Sequence, residues 1–160
     1  MSERPATGGP EPAVRKLAIS DLEAHSLDEL FSAVGSALER IDARISGTVV
    51  ARALAAREEL GTTALGHGVA MPHARSNEVA QPVLLLARLE EPIDIGAADG
   101  VPVGLFAVIV TPAASPSVHL RILALVSGRL RLAGLVQRLL NAVDADQMLR
   151  ELDLPPGVAA

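Results

Sequence analysis

The chain predicts a single α/β domain built on a mixed β-sheet, and three features point that way. It has 160 residues and is about half hydrophobic, enough for one domain with a sizeable core. Phe31 and Phe106 are its only aromatic residues, so the interior must be assembled from Leu, Val, Ile and Ala. Apolar runs of strand length lie near the middle while helical periodicity occupies both ends, with no regular strand–helix–strand repeat.

The elements follow in order. Residues 1–14 are rich in Pro and Gly and read as a disordered tail. Val14 to Ile19 alternates apolar residues and predicts a short edge strand. Ser26 followed by Glu29 fits a capping box, and Leu27, Leu30, Phe31, Val34, Leu38 and Ile41 then recur at helical spacing. A second helix is expected from Ser46-Gly47 to Leu60, ended by Gly61. Thr62 to His73 predicts two brief strands around Gly66-His67-Gly68. Val83–Leu89 and Val103–Val110 read as buried strands, separated by a loop over 93–100. Ser115-Pro116 supplies the cap and first residue of a helix that carries His119 and stops around Gly128. Leu130–Ala142 and Asp146–Leu152 complete a helical C-terminal third, so the domain spans 15–152 with a tail over 153–160.

Composition excludes several functions. Net charge is −5 and the fourteen Lys and Arg residues are scattered, unlike the basic stripe that nucleic acid requires. With two aromatics there is little to stack on bases. The stretch 101–110 is interrupted by Pro102 and Gly104 and is far shorter than the ~20 residues of a membrane span. No cationic, then apolar, leader opens the chain, so membrane insertion is not expected and the cytoplasm is the expected location. The absence of cysteine removes thiolate nucleophiles and zinc–thiolate sites.

Residues 57–75 carry the chemistry. Arg57, Glu58 and Glu59 end a helix, Gly61-Thr62-Thr63 follow, and a glycine-spaced turn leads through Val69-Ala70-Met71 to Pro72-His73, with Arg75 just beyond. Proline fixes its own φ and restricts Met71, so His73 sits on a stiff backbone. An imidazole held this way near hydroxyls and an arginine suits a group that accepts and hands on an anion. Of the other histidines, His25 precedes a helix cap and reads as a surface residue, and His67 is a loop-tip residue between glycines. His119 falls in the first turn of a helix, where it either satisfies a cap or helps the helix N-terminus form an anion site with a neutral ring. Arg57 has the alternative of pairing with Glu58 or Asp94, and Thr62 and Thr63 that of plain strand residues. His67 and His73 lack the one-face helical spacing of common zinc sites, so no metal is expected. No Gly-x-Ser-x-Gly elbow, P-loop or dinucleotide fingerprint is present.

The segment Arg57-Glu58 … Gly61-Thr62-Thr63 … Gly66-x-Gly68-Val69-Ala70-Met71-Pro72-His73 resembles the enzyme IIA domains of the fructose–mannitol–nitrogen-regulatory class of the bacterial phosphoenolpyruvate phosphotransferase system. Leu89-x-x-Pro92-Ile93, Asp99-Gly100-x-Pro102-Val103 and Thr111-Pro112 … His119-Leu120 … Leu123 follow in the family's order, so the resemblance covers residues 15–152. It implies a mixed sheet flanked by helices on both sides and a phosphohistidine carrier rather than a turnover enzyme, with no cofactor. His73 matches the phosphorylated histidine, His119 a second active-site histidine and Arg57 the arginine of the helix end. Thr63 matches a hydroxyl lining the site, and Gly68 of the glycine turn is expected to contribute to binding. The implied donor is a small HPr-type histidine phosphocarrier; the acceptor is a regulatory target protein or a IIB domain. His67 stands where the family pattern has asparagine. Lacking cysteine and a membrane span, the chain reads as a free-standing IIA closer to nitrogen-regulatory members. A sugar-specific IIA and a contact module that takes no phosphate are the alternatives.

Overall fold

A computed structural model describes residues 13–154. Of the tails expected at 1–14 and 153–160, residues 1–12 and 155–160 lie outside the described residues. Val14 and Leu154, expected in the tails, are both buried, so the packed chain reaches past both expected boundaries.

The elements are β1 (Arg15–Leu22), α1 (Leu27–Ile41), α2 (Gly47–Glu59), β2 (Ala64–Gly66), β3 (Val69–Ala70), β4 (His73–Ser76), β5 (Val83–Ile93), β6 (Val103–Pro112), α3 (Pro116–Leu130), α4 (Leu135–Asn141) and α5 (Ala145–Leu152). The six strands form one mixed sheet in the order β1-β5-β6-β3-β2, with β4 also paired to β6. β1 runs parallel to β5, β5 antiparallel to β6, and β3 and β4 parallel to β6.

Side chains on the two central strands alternate between two cores. Val83, Leu85, Ala87 and Leu89 of β5 join Phe106, Val108 and Val110 of β6 beneath α1 and α2. Leu84 and Leu86 join Leu105, Ala107 and Ile109 beneath α3, α4 and α5. Helices therefore flank the sheet on both sides. This explains why β5 and β6 read as unbroken apolar runs, because a strand covered on both faces has no polar side to alternate with. Among the buried positions of β5 the charged exception is Arg88, whose Nη1 donates to the carbonyls of Leu139, Leu140 and Ala142 where α4 ends. Its charge is met by free carbonyls at a helix's negative end and by Asp21 Oδ1 at 3.3 Å.

Three departures from the sequence reading have local causes. β5 continues to Ile93, beyond the expected end, through a register irregularity before Ile93 pairs with Val103. α3 passes through Gly128 and ends at Leu130, held by buried Val126 and Leu130 on either side of the glycine. The final departure matters most for the site: residues 62–73 hold β2 and β3, and His73 opens a further strand, β4. Pro72 has no N–H to donate, so the ladder to β6 breaks there. The Pro72 carbonyl still accepts from Ile109 N–H at 2.9 Å, and the chain resumes pairing one residue later.

α1 and α2 cross at Gly35 and Gly47, where a Cβ on either would overlap the other's carbonyl. Glu39 Oε1 accepts from Gly47 N–H at 2.7 Å, and Ser46 caps α2 through Val49 N–H. The start of α2 is thereby fixed against α1, which aims its other end at β4.

Candidate functional site

Three segments meet at one cleft: the last turn of α2, β4, and the β6–α3 connection with the first turn of α3. The cleft has a volume of about 720 Å³. Its lining holds Arg57, His73, Arg75 and His119 among Ala53, Ala56, Leu60, Ala74, Ala113, Pro116 and Leu120, with no carboxylate. In a chain of net charge −5 this is a cationic hollow with an apolar rim. Leu60 at 85% and Leu120 at 66% exposure stand out at that rim, unusually bare for leucines.

The His73 ring is fixed at both nitrogens. Nδ1 lies 2.9 Å from the Met71 carbonyl oxygen. A carbonyl can only accept, so Nδ1 carries the proton and Nε2 carries a lone pair. Arg57 Nε–H points at that lone pair from 3.3 Å, while Arg57 Nη1 donates to the Gly61 carbonyl at 3.0 Å. Arg57 thus bonds to the end of its own helix and to the imidazole, not to Glu58 or Asp94. Nη2 has no hydrogen-bond partner among the described residues.

Glu58 does a separate job. Its carboxylate accepts from Thr63 N–H at 3.0 Å and Thr63 Oγ1–H at 2.7 Å. The adjacent Arg57 and Glu58 therefore brace the same turn, one through Gly61 and the other through Thr63. Thr63 is buried and its hydroxyl is committed to Glu58, so it does not line the cleft as expected.

His119 faces His73 with ring centroids 5.5 Å apart and planes tilted by 50°. Its Nδ1 lies 2.6 Å from Thr111 Oγ1, and Thr111 is fully buried at the end of β6. Burial, then the nearby His73 and Arg75, lowers the pKa of His119 below its ordinary value and favours the neutral ring. Ser115 makes no side-chain cap bond, so the α3 N-terminus keeps its positive end beside this ring. Thr111 and Arg75 have no assigned role in the sequence reading, yet one holds His119 and the other brings a second guanidinium to the cleft.

Gly68 and His67 lie elsewhere. Both have positive φ, +80° and +56°, and form the two-residue turn between β2 and β3. That is the type I′ geometry, which favours Asn-Gly. Histidine is among the few non-glycine residues enriched in this region, which accounts for His67 in place of asparagine. The His67 amide donates to Asp99 Oδ2 at 2.8 Å, and the Gly68 carbonyl accepts from Gly104 and Leu105. Neither residue borders the cleft, so Gly68 supports the turn instead of binding there. His25 is exposed beside Glu23, away from this site. Among the described residues no cluster of His, Asp and Glu has the make-up of a metal site, and no helix is long and apolar enough to cross a membrane.

Comparison with known proteins identifies the family. Residues 14–153 match the family described as phosphoenolpyruvate-dependent sugar phosphotransferase system, EIIA 2. A nitrogen regulatory protein of Bradyrhizobium diazoefficiens is 39% identical over 104 residues, covering 65% of this chain and 68% of that protein. A fructose-specific EIIA component of Haloferax volcanii is 39% identical over 90 residues, covering 56% and 58%. The crystal structure of the nitrogen regulatory protein IIA-Ntr from Neisseria meningitidis superposes with a TM-score of 0.75 at 31% identity, over 90% of this chain and 94% of that one. Mannitol IIA from Escherichia coli, at 18% identity and TM-score 0.69, covers 84% of this chain and 94% of its own and shares the fold. With a family match over nearly the whole described chain and a fold shared with a solved relative at 31% identity, this protein belongs to the phosphotransferase system EIIA 2 family.

Proposed function

We propose that the chain is a phosphohistidine carrier that takes a phosphoryl group onto His73 from an HPr-type histidine phosphocarrier and regulates target proteins according to its phosphorylation state. The observation that carries this reading is the His73 ring itself. Its Nδ1–H is held by the Met71 carbonyl, so Nε2 faces Arg57 in the open cleft as a ready nucleophile.

The transfer then balances without a base. The Nε2 lone pair forms the new P–N bond as the donor's P–N bond breaks, and the donor nitrogen keeps that electron pair. No proton leaves Nε2, because none is there. The ring becomes more positive on phosphorylation, and the Met71 carbonyl stabilises the Nδ1–H that carries that charge. Arg57 gives up its long bond to Nε2 and turns Nε and the free Nη2 onto phosphoryl oxygens, while Nη1 stays on Gly61. His119 orients the phosphoryl group from the facing side. Such transfers depend mainly on positioning and charge neutralisation, which a cleft without carboxylates supplies.

The regulatory role rests on likeness to proteins named nitrogen regulatory protein. A second reading, a sugar-specific IIA passing phosphate to a IIB domain, is favoured by the fructose-specific relative. A fold neighbour at 18% identity was also determined as the complex of enzyme IIA mannitol with phosphorylated IIB mannitol.

The test is incubation with labelled phosphoenolpyruvate, enzyme I and HPr or its nitrogen-branch counterpart. Acid-labile label is expected on the wild type and none on His73→Ala. Label persisting on His73→Ala, or absent from the wild type with every donor, would overturn the carrier. Rapid onward transfer to a purified fructose- or mannitol-type IIB would turn the assignment from regulation to sugar uptake.

A further inference from the structure

Thr111 is the one fully buried polar residue of the central strands, and its hydroxyl reaches a single partner, Nδ1 of His119 at 2.6 Å. A hydroxyl has one proton to donate, and a ring nitrogen either offers a lone pair or carries a proton of its own. If His119 Nδ1 held the proton and donated to Oγ1, the Thr111 O–H would point into a dry interior with no acceptor. No other side-chain hydrogen bond of Thr111 exists among the described residues. An orphaned buried donor is costly, whereas the reverse arrangement satisfies both groups. Thr111 must therefore donate, and the His119 proton lies on Nε2.

We infer that Thr111 is a positioning residue for phosphoryl transfer: its buried hydroxyl fixes the Nε2–H form of His119, so that His119 presents a hydrogen-bond donor across the cleft toward a phosphoryl group on His73. The inference rests on the carrier reading for its phosphoryl half and on geometry alone for its tautomer half.

The connection between the two residues makes the arrangement rigid. Thr111 pairs with Arg75 in the parallel β4–β6 ladder, so its backbone is held by the sheet. The chain turns at 112–115, with Ser115 N–H on the Pro112 carbonyl, and His119 N–H returns to the Ser115 carbonyl in the first turn of α3. Strand end and helix start are thus joined both by backbone and by the Thr111–His119 bond. Protonating His119 would place a hydrogen on Nδ1 and orphan the Thr111 proton. That acts in the same direction as the burial, and then the neighbouring His73 and Arg75, that already lower the pKa of His119. Arg57, across the cleft on α2, is a further positive group facing it.

The test is nitrogen NMR of histidine-labelled protein at a pH where His119 is neutral, together with phosphoryl transfer by Thr111→Val and Thr111→Ser. In the wild type, the His119 Nε2 signal is expected to be of the protonated type and Nδ1 of the lone-pair type. Thr111→Val should move the Nδ1 signal and slow phosphoryl passage from His73 about tenfold. Thr111→Ser, which keeps the hydroxyl, should restore both to near wild type. A protonated Nδ1 in wild-type His119 overturns the inference even if the valine variant does not fold. So does a Thr111→Val protein with unaltered nitrogen signals, or with altered signals and full transfer rate. A wild type that takes no label overturns the carrier reading and the phosphoryl half with it, while the nitrogen signals still decide the tautomer half.

Discussion

His73 and His119 are the same side chain, face each other across 5.5 Å, and are tied at the same atom, Nδ1, by opposite kinds of partner. For His73 the partner is a backbone carbonyl, which can only accept; for His119 it is a buried hydroxyl with one proton to give away. The first arrangement leaves a lone pair at Nε2 and the second leaves an N–H there. In the carrier reading one ring is thereby suited to form a bond to phosphorus and the other to donate to the oxygens around it. The assignment of roles therefore lies in the groups behind the rings and not in the rings themselves.

Removing the guanidinium that faces the His73 lone pair should produce the largest loss short of removing His73. In the carrier reading Arg57 makes charge-assisted hydrogen bonds in the transition state worth up to about 3 kcal/mol, so Arg57→Ala should slow phosphorylation by up to ~150-fold. Arg57→Lys should recover only part of this, since an ammonium cannot hold Gly61 and a phosphoryl oxygen with one planar fork. Stopped-flow labelling of the folded variant measures it, and an unchanged rate would remove Arg57 from the site.

His119→Ala is expected to be milder and different in kind. The lone pair of His73 survives, so His73 should still take phosphate. Passing it on should slow by ~30-fold, the equivalent of about 2 kcal/mol for a donor to a charged oxygen. Rapid transfer to an acceptor by this variant would mean that the two rings do not divide the work.

The same contrast has a consequence for stability. The pKa of His119 is lowered from 6.5 in the fold, chiefly by burial, so the unfolded chain takes up this proton first as pH falls. At pH above 6.5 both states hold a neutral ring and nothing is lost. As pH falls from 6.5 through the lower folded value, stability declines, and below both it levels off. Urea unfolding of wild type and His119→Gln at pH 7.5, 6.5 and 5.5 should show the variant losing less over this interval. Parallel losses would show that His119 is not held neutral by its surroundings.

Much of this was legible from the chain, and the parts that were not share a cause. Helix starts at Ser26 and Ser46 could be read because caps act within a few residues, and the start at Ser115 because Pro116 follows at the first helical position, although Ser115 makes no cap bond. His73, Arg57 and His119 emerged from a long motif, and the cleft does bring them together. Thr63 and Thr111 show where reading fails. Both are threonines in the matched pattern, and only the partner within reach separates them: Glu58 for one, a ring from the next element for the other. Strand β4 escapes a local reading for a related reason: Pro72 interrupts the pattern along the chain, while the pairing of His73 with Ile109 of β6, distant in sequence, supplies the continuity.

A final comparison sets His73 against His67, which shares its glycine-rich segment but serves only a turn. His67 is held at φ +56° by the two-residue hairpin, and asparagine tolerates this region at least as well. His67→Asn should leave stability within about 0.5 kcal/mol of wild type, most simply slightly above it. His67→Val, β-branched in a left-handed position, should cost about 1–2 kcal/mol. Neither should alter labelling of His73, since the His67 backbone donates to Asp99 and its residue does not border the cleft. Denaturant midpoints check the first pair of outcomes and phosphoryl transfer the second. Loss of labelling in a fully folded His67→Asn protein would mean that the turn and the cleft are coupled, and that the fitness of His67 for its turn is not the whole reason for its presence.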